Sequence, residues 1–214
     1  MPDRPDTRFR RLREKGCRDF STACQIIDAA RICHVGFVHG NFPYVVPMAH
    51  ARDGNRLLIH GSVASRLIKN LAAGLNCCVT ITHFDGLVLA RSAFNSSMNY
   101  RSVMILGQAH AVLGEEDKAR GLGLLTEHLL PGRLVELRPS TRQEIHATTL
   151  LALPIETFTV KIGAGPPDDP AKDLGAGIWA GTIPIRLTAG TPQAAPDLDP
   201  HIPLPGYLQN DWYR

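Results

Sequence analysis

Short β-rich segments bounded by turn residues recur along this chain, and they restrict its fold more than any other feature of the sequence. Asp53-Gly54 lies between two such segments and is a strong hairpin signal, and Asp85-Gly86 is predicted as a second turn. Strict alternation of strand and helix is missing, so the pattern favours an antiparallel barrel of about six strands over a parallel sheet. The predicted strands cover residues 32–39, 42–51, 55–61, 76–84, 86–94, 99–113 and 147–162.

Helical patterns interrupt these strands. Thr22 and Gln25 have capping-box spacing, and Ser62 is predicted as the N-cap of a second helix. The expected fold class is therefore mainly β, or α+β, with a few helices flanking the barrel. The predicted helices cover residues 22–31, 62–73, 115–129 and 141–146.

The distribution of proline predicts how the chain is organised. A chain of 214 residues, 44% of them hydrophobic, can bury a core without disulfides or metals. Nine of the sixteen prolines lie between Pro166 and Pro205, which predicts an extended segment that wraps over the body. We therefore expect a basic N-terminal arm (1–19), a barrel domain (20–162) and a Gly/Pro-rich C-terminal segment (163–214).

Charge and cysteine content exclude several classes of function. The net charge of +3 arises in the arm, which holds seven basic and four acidic side chains, whereas the remainder holds sixteen of each. A neutral body lacks the clustered basic face that nucleic-acid binding needs. The apolar runs are too short to span a bilayer, and five cysteines without a C-x-x-C pair are typical of reduced thiols. We expect a soluble, cytoplasmic protein with neither nucleic-acid nor membrane partners.

Familiar catalytic motifs are missing from the sequence. It contains no P-loop, no G-x-S-x-G and no H-E-x-x-H, and its two G-x-G pairs are only fragments of a dinucleotide fingerprint. Nine histidines are present, but their spacing does not build a shared metal site, so no metal is predicted. Cys33 and Cys78 lie within apolar strands, which favours buried small side chains over nucleophiles.

The strongest local constellation is the run His60-Gly61-Ser62-Val63-Ala64-Ser65-Arg66. Here a strand ends, a glycine turns the chain and a helix begins, so free N–H groups and the helix dipole favour an anion. The hydroxyls of Ser62 and Ser65 and the guanidinium of Arg66 are suited to a phosphate group. The alternative is that Ser62 only caps the helix and that Arg66 is a surface residue.

Two further features carry polar or aromatic side chains in β-rich surroundings. Arg91-Ser92 and Arg101-Ser102 are basic and polar, although arginines in strands usually face solvent. Trp179, in GIWAGTIPI, could cover a planar ligand or plug the barrel.

These motifs together resemble one family. The order H-G-S-x-x-S-R, D-G-L-V-L-A-R-S, N-Y-R-S-V and I-W-A-G-T-I-P-I, within residues 20–187, is similar to the pyridoxamine 5′-phosphate oxidase-like flavin-binding superfamily. Within it, the chain most resembles the flavin-nucleotide-binding branch related to nitroimidazole-resistance proteins. The resemblance implies a six-stranded split β-barrel that forms a homodimer and binds FMN at the dimer interface.

The resemblance also implies roles for individual residues. One set would line the isoalloxazine ring, Ser65 and Arg66 would hold the phosphate, and Arg91 and Ser92 would reach the partner subunit's flavin. Arg101 and Ser102 would complete phosphate or ribityl contacts, and Trp179 would approach the ring. The ring-lining residues implied are Val46, Pro47, Met48, His60, Gly61 and Ser62.

The leading hypothesis is therefore an FMN-dependent oxidoreductase that uses NAD(P)H to reduce a small planar or nitroaromatic acceptor. His60 is the residue expected to polarise or protonate the substrate or the reduced flavin. One alternative is a protein that holds flavin or haem without turnover, for storage or sensing. Another is pyridoxamine 5′-phosphate oxidation, although the substrate-phosphate residues of those enzymes have no clear counterpart in the proline-rich tail.

Overall fold

The structure is a computed structural model that describes residue 7 and residues 15–208. Most of the predicted basic arm, residues 1–6 and 8–14, therefore lies outside the described residues. The strands are β1 (Gly16–Cys17), β2 (Ile32–His39), β3 (Phe42–Asp53), β4 (Arg56–Ser62), β5 (Asn76–Leu89), β6 (Ser97–Gln108), β7 (His110–Ala111), β8 (Thr148–Pro154), β9 (Thr157–Gly163) and β10 (Gly181–Pro184). The helices are α1 (Phe20–Ala29), α2 (Arg66–Ala72), α3 (Glu115–Leu129) and α4 (Arg142–Ala147).

All the strand pairs are antiparallel, as the hairpin pattern predicts. The strands follow the order β1-β9-β6-β5-β2-β3-β4-β8-β7, and β10 pairs with β5 outside this path. The long strand β3 joins two halves, because residues 42–49 pair with β2 and residues 50–53 pair with β4. The expected antiparallel α+β split barrel is confirmed. The described residues form ten strands where about six are expected, because three strands are only two to four residues long and the predicted strand 147–162 is divided into β8 and β9.

Alternation along the central strands places one face of the sheet in the core. Cys33, Val35 and Phe37 of β2 are buried in the main core cluster. The residues of β5 and β6 that join them are Cys77, Val79, Ile81, Val103 and Ile105. Helices α1 and α2 close this cluster with Ile26, Ile27, Ile68 and other apolar side chains. A second cluster lies under α3, where Leu125 packs with Leu58 and Leu150.

The helices begin at slightly different residues from those predicted. Asp19, not Thr22, caps α1: its carboxylate accepts hydrogen bonds from the backbone N–H and the hydroxyl of Thr22. Helix α2 begins at Arg66, with Ser65 at the N-cap, because Ser62 is still paired with β8 as the last residue of β4.

Asp85-Gly86 does not form the predicted hairpin turn. Strand β5 continues through both residues to Leu89, with a β-bulge between Phe84 and Gly86 against β6. A Cβ atom on Gly86 would lie 2.7 Å from the carbonyl oxygen of Ile183, so the glycine serves close contact with β10. The predicted turn at Asp53-Gly54 is confirmed: it joins β3 to β4, and Gly54 has a φ of 62°.

The segment after β9 returns to the barrel. Strand β10 pairs with residues 86–89 of β5, and the nearly inaccessible carboxylate of Asp169 bonds to Arg91. Whether residues 163–214 form a unit separate from the barrel domain stays a prediction. Within residues 15–208, no helix is both long and apolar enough to cross a membrane.

Candidate functional site

An apolar strip of side chains on β3 lies at the end of the barrel beside α2, with the guanidinium of Arg66 over it. Tyr44, Val46 and Met48 alternate along β3 and pack half-buried against the core. Phe37 on the neighbouring strand stacks on Tyr44, with 5.4 Å between ring centroids. The guanidinium carbon of Arg66 lies 4.7 Å from the centroid of the Tyr44 ring. The cation–π contact holds the guanidinium beside this strip at the start of α2.

His60 and Gly61 lie close to the same helix. A Cβ atom on Gly61 would lie 2.8 Å from Ile68, so the glycine allows α2 to pack tightly on β4. His60 is half-buried, and burial lowers the pKa of its imidazole, which favours the neutral ring at pH 7. Its Nδ1 atom is buried without a hydrogen-bond partner among residues 15–208. A buried unpaired nitrogen is costly, so this atom is a candidate hydrogen-bonding partner for a buried water or for a polar atom of a bound molecule.

The two serines of the motif differ in their local bonds. The Ser62 hydroxyl oxygen accepts a hydrogen bond from the N–H of Ala64. Ser65 occupies the N-cap of α2, but its side chain makes no capping hydrogen bond. Ser65 and Arg66 both lie at the start of α2, and a phosphate contact from them stays a prediction.

Pro47 does not share a face with its neighbours on β3. Successive side chains of a strand point to opposite sides, so Val46 and Met48 face the core side and Pro47 faces outward beside His34. The three residues predicted along the flavin ring therefore cannot all present their side chains to one face.

Arg91 is bound to the C-terminal segment of the same chain. Its backbone N–H and its guanidinium donate to the two carboxylate oxygens of Asp169 at 3.0 and 2.9 Å. Ser92 belongs to the following turn, where its hydroxyl oxygen accepts from the N–H of Asn95. A contact from Arg91 and Ser92 to a partner's flavin stays a prediction.

Arg101 lies far from Arg66 within one protomer. Arg101 on β6 lies directly opposite His83 on β5. Tyr44 on β3 lies opposite Phe37 on β2, and Phe37 lies opposite Cys77 on β5. This offset of six residues along β5 corresponds to about 20 Å. A common phosphate contact by Arg66 and Arg101 therefore requires Arg101 from a second subunit.

Asp85 engages Arg101 through both carboxylate oxygens, each at 2.8 Å. This ion pair lowers the pKa of the Asp85 carboxyl and raises that of Arg101, so both groups are charged. Ser102 follows on β6, half-buried and paired with Thr82 and Lys161.

Trp179 is largely exposed, with 66% of its surface accessible. Its ring lies against Gly181, where a Cβ atom would come within 2.9 Å of the indole. Trp179 therefore does not plug the barrel, and its ring is available at the surface.

Side chains that the sequence motifs did not single out complete the site. Tyr44 supports Arg66, Asp85 pairs with Arg101, and Asp169 pairs with Arg91. Of Tyr44, Asp85 and Asp169, only Tyr44 could be found from the local sequence, because it alternates with Val46 and Met48 along the strand and therefore lies on the same face. In the described part of the chain, no group of three or more His, Cys, Asp or Glu side chains is arranged to hold a metal ion.

Comparisons with known proteins connect this geometry to a family. Residues 19–162 match the family described as pyridoxamine 5′-phosphate oxidase. No curated protein matches the chain.

Solved structures match over almost the whole chain. The FAD and haem binding protein from Mycobacterium smegmatis is 36% identical, with 92% of this chain and 97% of that chain covered and a TM-score of 0.89. The flavocytochrome Anf3 from Azotobacter vinelandii is 38% identical, with coverages of 95% and 94% and a TM-score of 0.90. A candidate 5-nitroimidazole antibiotic resistance protein from Bacteroides thetaiotaomicron, 23% identical over 69% of this chain and 86% of that one (TM-score 0.58), shares the fold.

Proposed function

Because this chain belongs to the pyridoxamine 5′-phosphate oxidase family of split-barrel proteins, we propose that it binds a flavin nucleotide and uses it for redox chemistry. The observation that carries the proposal is the guanidinium of Arg66, held over Tyr44 at the edge of an apolar strip. This combination offers an apolar surface for a planar ring beside a fixed cation for a phosphate.

The described residues fit a flavin in three respects. Tyr44, Val46 and Met48 supply the apolar surface, and Ser65 and Arg66 supply donors at the start of α2. The unpartnered Nδ1 of His60 supplies a polar atom that a ligand can satisfy.

The form of the flavin is part of the proposal. The resemblance of the sequence to the superfamily implies FMN, whereas the Mycobacterium relative is named for FAD. We favour FAD, because that relative is similar over nearly the entire length of both chains. Release of the cofactor by heat, followed by chromatography against FMN and FAD standards, distinguishes the two.

A bound flavin supplies hydride and electron transfer, and the protein supplies binding, orientation and protons. We propose NADH or NADPH as the electron donor and a small planar or nitroaromatic molecule as the acceptor. His60 is the group suited to hold a proton near the ring, because its neutral imidazole can donate one hydrogen bond and accept another.

The flavin site is proposed to lie between two copies of the chain. The outward face of β2 and β3 exposes Ile32, Val38 and Val45 to between 56% and 67%. Neighbouring apolar side chains at this level of exposure are typical of a surface that another chain covers. A homodimer would cover this face and would bring Arg91, Ser92 and Arg101 of one subunit toward the flavin of the other.

A second candidate function is a flavin- or haem-holding protein that stores or senses without turnover. The observation in its favour is that one relative of nearly full length is named for FAD and haem and another is called a flavocytochrome. A haem would need one axial histidine and apolar walls.

Oxidation of pyridoxamine 5′-phosphate is a third reading, suggested by the family's name alone. Formation of pyridoxal 5′-phosphate from either B6 phosphate would support it, and failure to form the product with loaded protein would exclude it.

The decisive experiment is the absorption spectrum of protein purified without added cofactor, before and after addition of NADPH. A flavin spectrum that bleaches with NADPH and recovers with a nitroaromatic acceptor supports the oxidoreductase. A flavin or Soret spectrum that NADPH does not change supports the holding protein. Colourless protein that takes up neither FMN nor FAD contradicts flavin binding.

A further inference from the structure

The hairpin formed by β5 and β6 continues past the strands that flank it. In the described part of the chain, β2 pairs with residues 77–80 of β5, and β9 pairs with residues 100–106 of β6. Residues 86–99 lie beyond both pairings, where β5 and β6 pair with each other and β10 pairs with β5. We call residues 86–99 together with β10 the arm. Strand β10 lies after the family match, which ends at residue 162.

One face of the arm is apolar across all three strands. Ile183, Leu87 and Met98 lie directly opposite one another on β10, β5 and β6, so their side chains share a face. These side chains are 42%, 38% and 49% exposed. The neighbouring residues Thr182 and Val88 share the opposite face, where Val88 is buried. The row of Ile183, Leu87 and Met98 is therefore the outer side of the arm, which we call the arm face.

Trp179 extends the arm face. Gly181 is two residues before Ile183 on β10, so a Cβ atom on Gly181 would point to the same side as Ile183. That atom would lie 2.9 Å from the indole of Trp179, which places the largely exposed ring on the arm face. The arm therefore presents four large apolar side chains to one side.

The arm face is continuous with the outward face of β2 and β3. Met98 and Met104 are an even number of positions apart on β6, so they point to the same side of the sheet. Met104 lies opposite Thr80 on β5, and Thr80 lies opposite His34 on β2. Ile32 alternates with His34 and belongs to the exposed apolar residues of that outward face. Both apolar areas therefore lie on one side of the sheet.

A second copy of the chain is the partner that this surface fits. Two apolar areas on one chain are covered together in a two-fold dimer, because each copy offers both areas to the other. The arm also carries Arg91 in its connecting turn, and Arg101 follows the arm on β6. Arg101 lies about 20 Å along the sheet from the level of Arg66 in one protomer, so a site that uses both requires the arm of a second copy.

We propose that the arm face of one copy packs on the outward face of β2 and β3 of a second copy, and that Trp179 thereby contacts the flavin held by that copy's Arg66. The role of Trp179 rests on the proposed flavin site, whereas the contact between the arm and the sheet does not. A tryptophan ring has the flat apolar surface on which a planar ring system stacks. The flavin site is then complete only in the dimer, with Arg66 from one copy and Trp179 from the other.

Charged substitutions on two strands of the arm test the packing. Ile183→Asp and Met98→Lys should each raise the dimer dissociation constant of the full chain about tenfold or more in sedimentation equilibrium, because each places a charge in the interface. Thr182→Asp is the matched control, because Thr182 is an exposed neighbour on the opposite face of β10, and it should dimerise as the wild type does. A monomeric wild type, or a dimer of unchanged stability in either arm variant, overturns the proposal.

Mixed dimers test whether Trp179 acts on the flavin of the second copy. Arg66→Ala and Trp179→Ala should each weaken flavin binding when assayed alone in a fluorescence titration. If Trp179 comes from the opposite copy, one site of a heterodimer of these variants lacks both side chains and the other site has both. Equal mixing, with subunit exchange checked by native mass spectrometry, should therefore restore wild-type affinity to about a quarter of all sites. Mixing that restores no site overturns the assignment of Trp179 across the dimer.

Failure of the proposed function gives a different result. Protein that takes up neither FMN nor FAD contradicts flavin binding, and the role of Trp179 is overturned with it. In that case a weakened dimer in Ile183→Asp and Met98→Lys, with Thr182→Asp unchanged, still supports the contact between the arm and the second copy.

Discussion

Three arginines of the predicted flavin site have three different partners. Arg66 lies over an aromatic ring, Arg91 is bound to Asp169, and Arg101 is bound to Asp85. A cation over an aromatic face keeps its hydrogen-bond donors for a ligand, whereas an arginine in a two-point carboxylate pair has already used several. Among these three, Arg66 is the residue best prepared to bind a phosphate within one protomer.

Replacing Arg66 with alanine should therefore weaken flavin binding. We expect a loss of about 1.5–3 kcal/mol, the range for a charge-assisted hydrogen bond. Flavin fluorescence titration of the apoprotein measures it, with Arg142→Ala as the matched surface control. Unchanged affinity of Arg66→Ala would show that the start of α2 does not hold the phosphate.

Three histidines have structural partners at the C-terminal end of α1. The Nε2 atoms of His83, His50 and His128 lie 2.9, 3.1 and 2.6 Å from the carbonyl oxygens of Ile26, Ile27 and Ala30. Carbonyls at the end of a helix lack partners within it, so these rings act as caps from β5, β3 and α3. This arrangement accounts for part of the high histidine content without a metal.

The stability of the protein should fall in mild acid because of His50. Burial lowers the pKa of this fully buried ring to about 4. In the unfolded chain, His50 gains a proton as the pH falls below its ordinary pKa of 6.5, whereas in the folded chain it does so only near pH 4. The stabilisation present at pH 7 is therefore lost as the pH falls from about 6.5 to about 4. The change amounts to about 3 kcal/mol.

Urea unfolding at several pH values between 7 and 4 measures this change. In His50→Gln the amide can still donate to Ile27, but it does not titrate, so the pH dependence of the free energy of unfolding should be reduced. Identical pH profiles of the wild type and the variant would contradict a buried neutral His50.

At the scale of elements, one ion pair attaches the C-terminal segment to the β5–β6 connection. The Asp169 side chain is only 1% exposed, so removal of Arg91 would leave a buried charge without its partner. We expect Arg91→Ala to destabilise the segment by about 3 kcal/mol. Hydrogen exchange and limited proteolysis of residues 163–180 measure the effect.

The control for this pair is Asp169→Asn, which also breaks the ion pair but leaves Arg91 in place. If Arg91 also reaches a partner's flavin, Arg91→Ala should reduce flavin affinity more than Asp169→Asn does. Equal protection of the segment in the wild type and both variants would show that the ion pair does not hold it.

The errors at the level of elements have local causes. Asp85-Gly86 has the composition of a turn, but β6 and β10 pair along both sides of β5 and keep the strand extended. Ser62 has the composition of an N-cap, but its pairing with Thr148 on β8 keeps it in a strand and moves the helix start to Arg66. In both places, pairing with neighbouring strands outweighed the conformation that the local residues favour.

At the scale of the whole molecule, the exposed face of β2 and β3 predicts association. A lysine at Val45, a position 67% exposed, would place a charge in the proposed dimer interface. We expect wild-type protein to have the mass of a dimer in light scattering and Val45→Lys to be monomeric with weakened flavin binding. Leu113→Lys, at a position 90% exposed outside this face, is the control. A monomeric wild type would contradict the interface.

The sequence by itself determined the fold class and the family of this protein. Alternating apolar residues, the Asp53-Gly54 turn and the helical runs predicted an antiparallel α+β barrel, and the ordered motifs predicted the family, because these signals act between residues close in the chain. Only the tertiary structure decided the partners of Arg91 and Arg101 and the row of Ile183, Leu87 and Met98 on the arm. Arg91 and Asp169 are 78 positions apart, and no local propensity specifies which carboxylate a folded chain brings to an arginine.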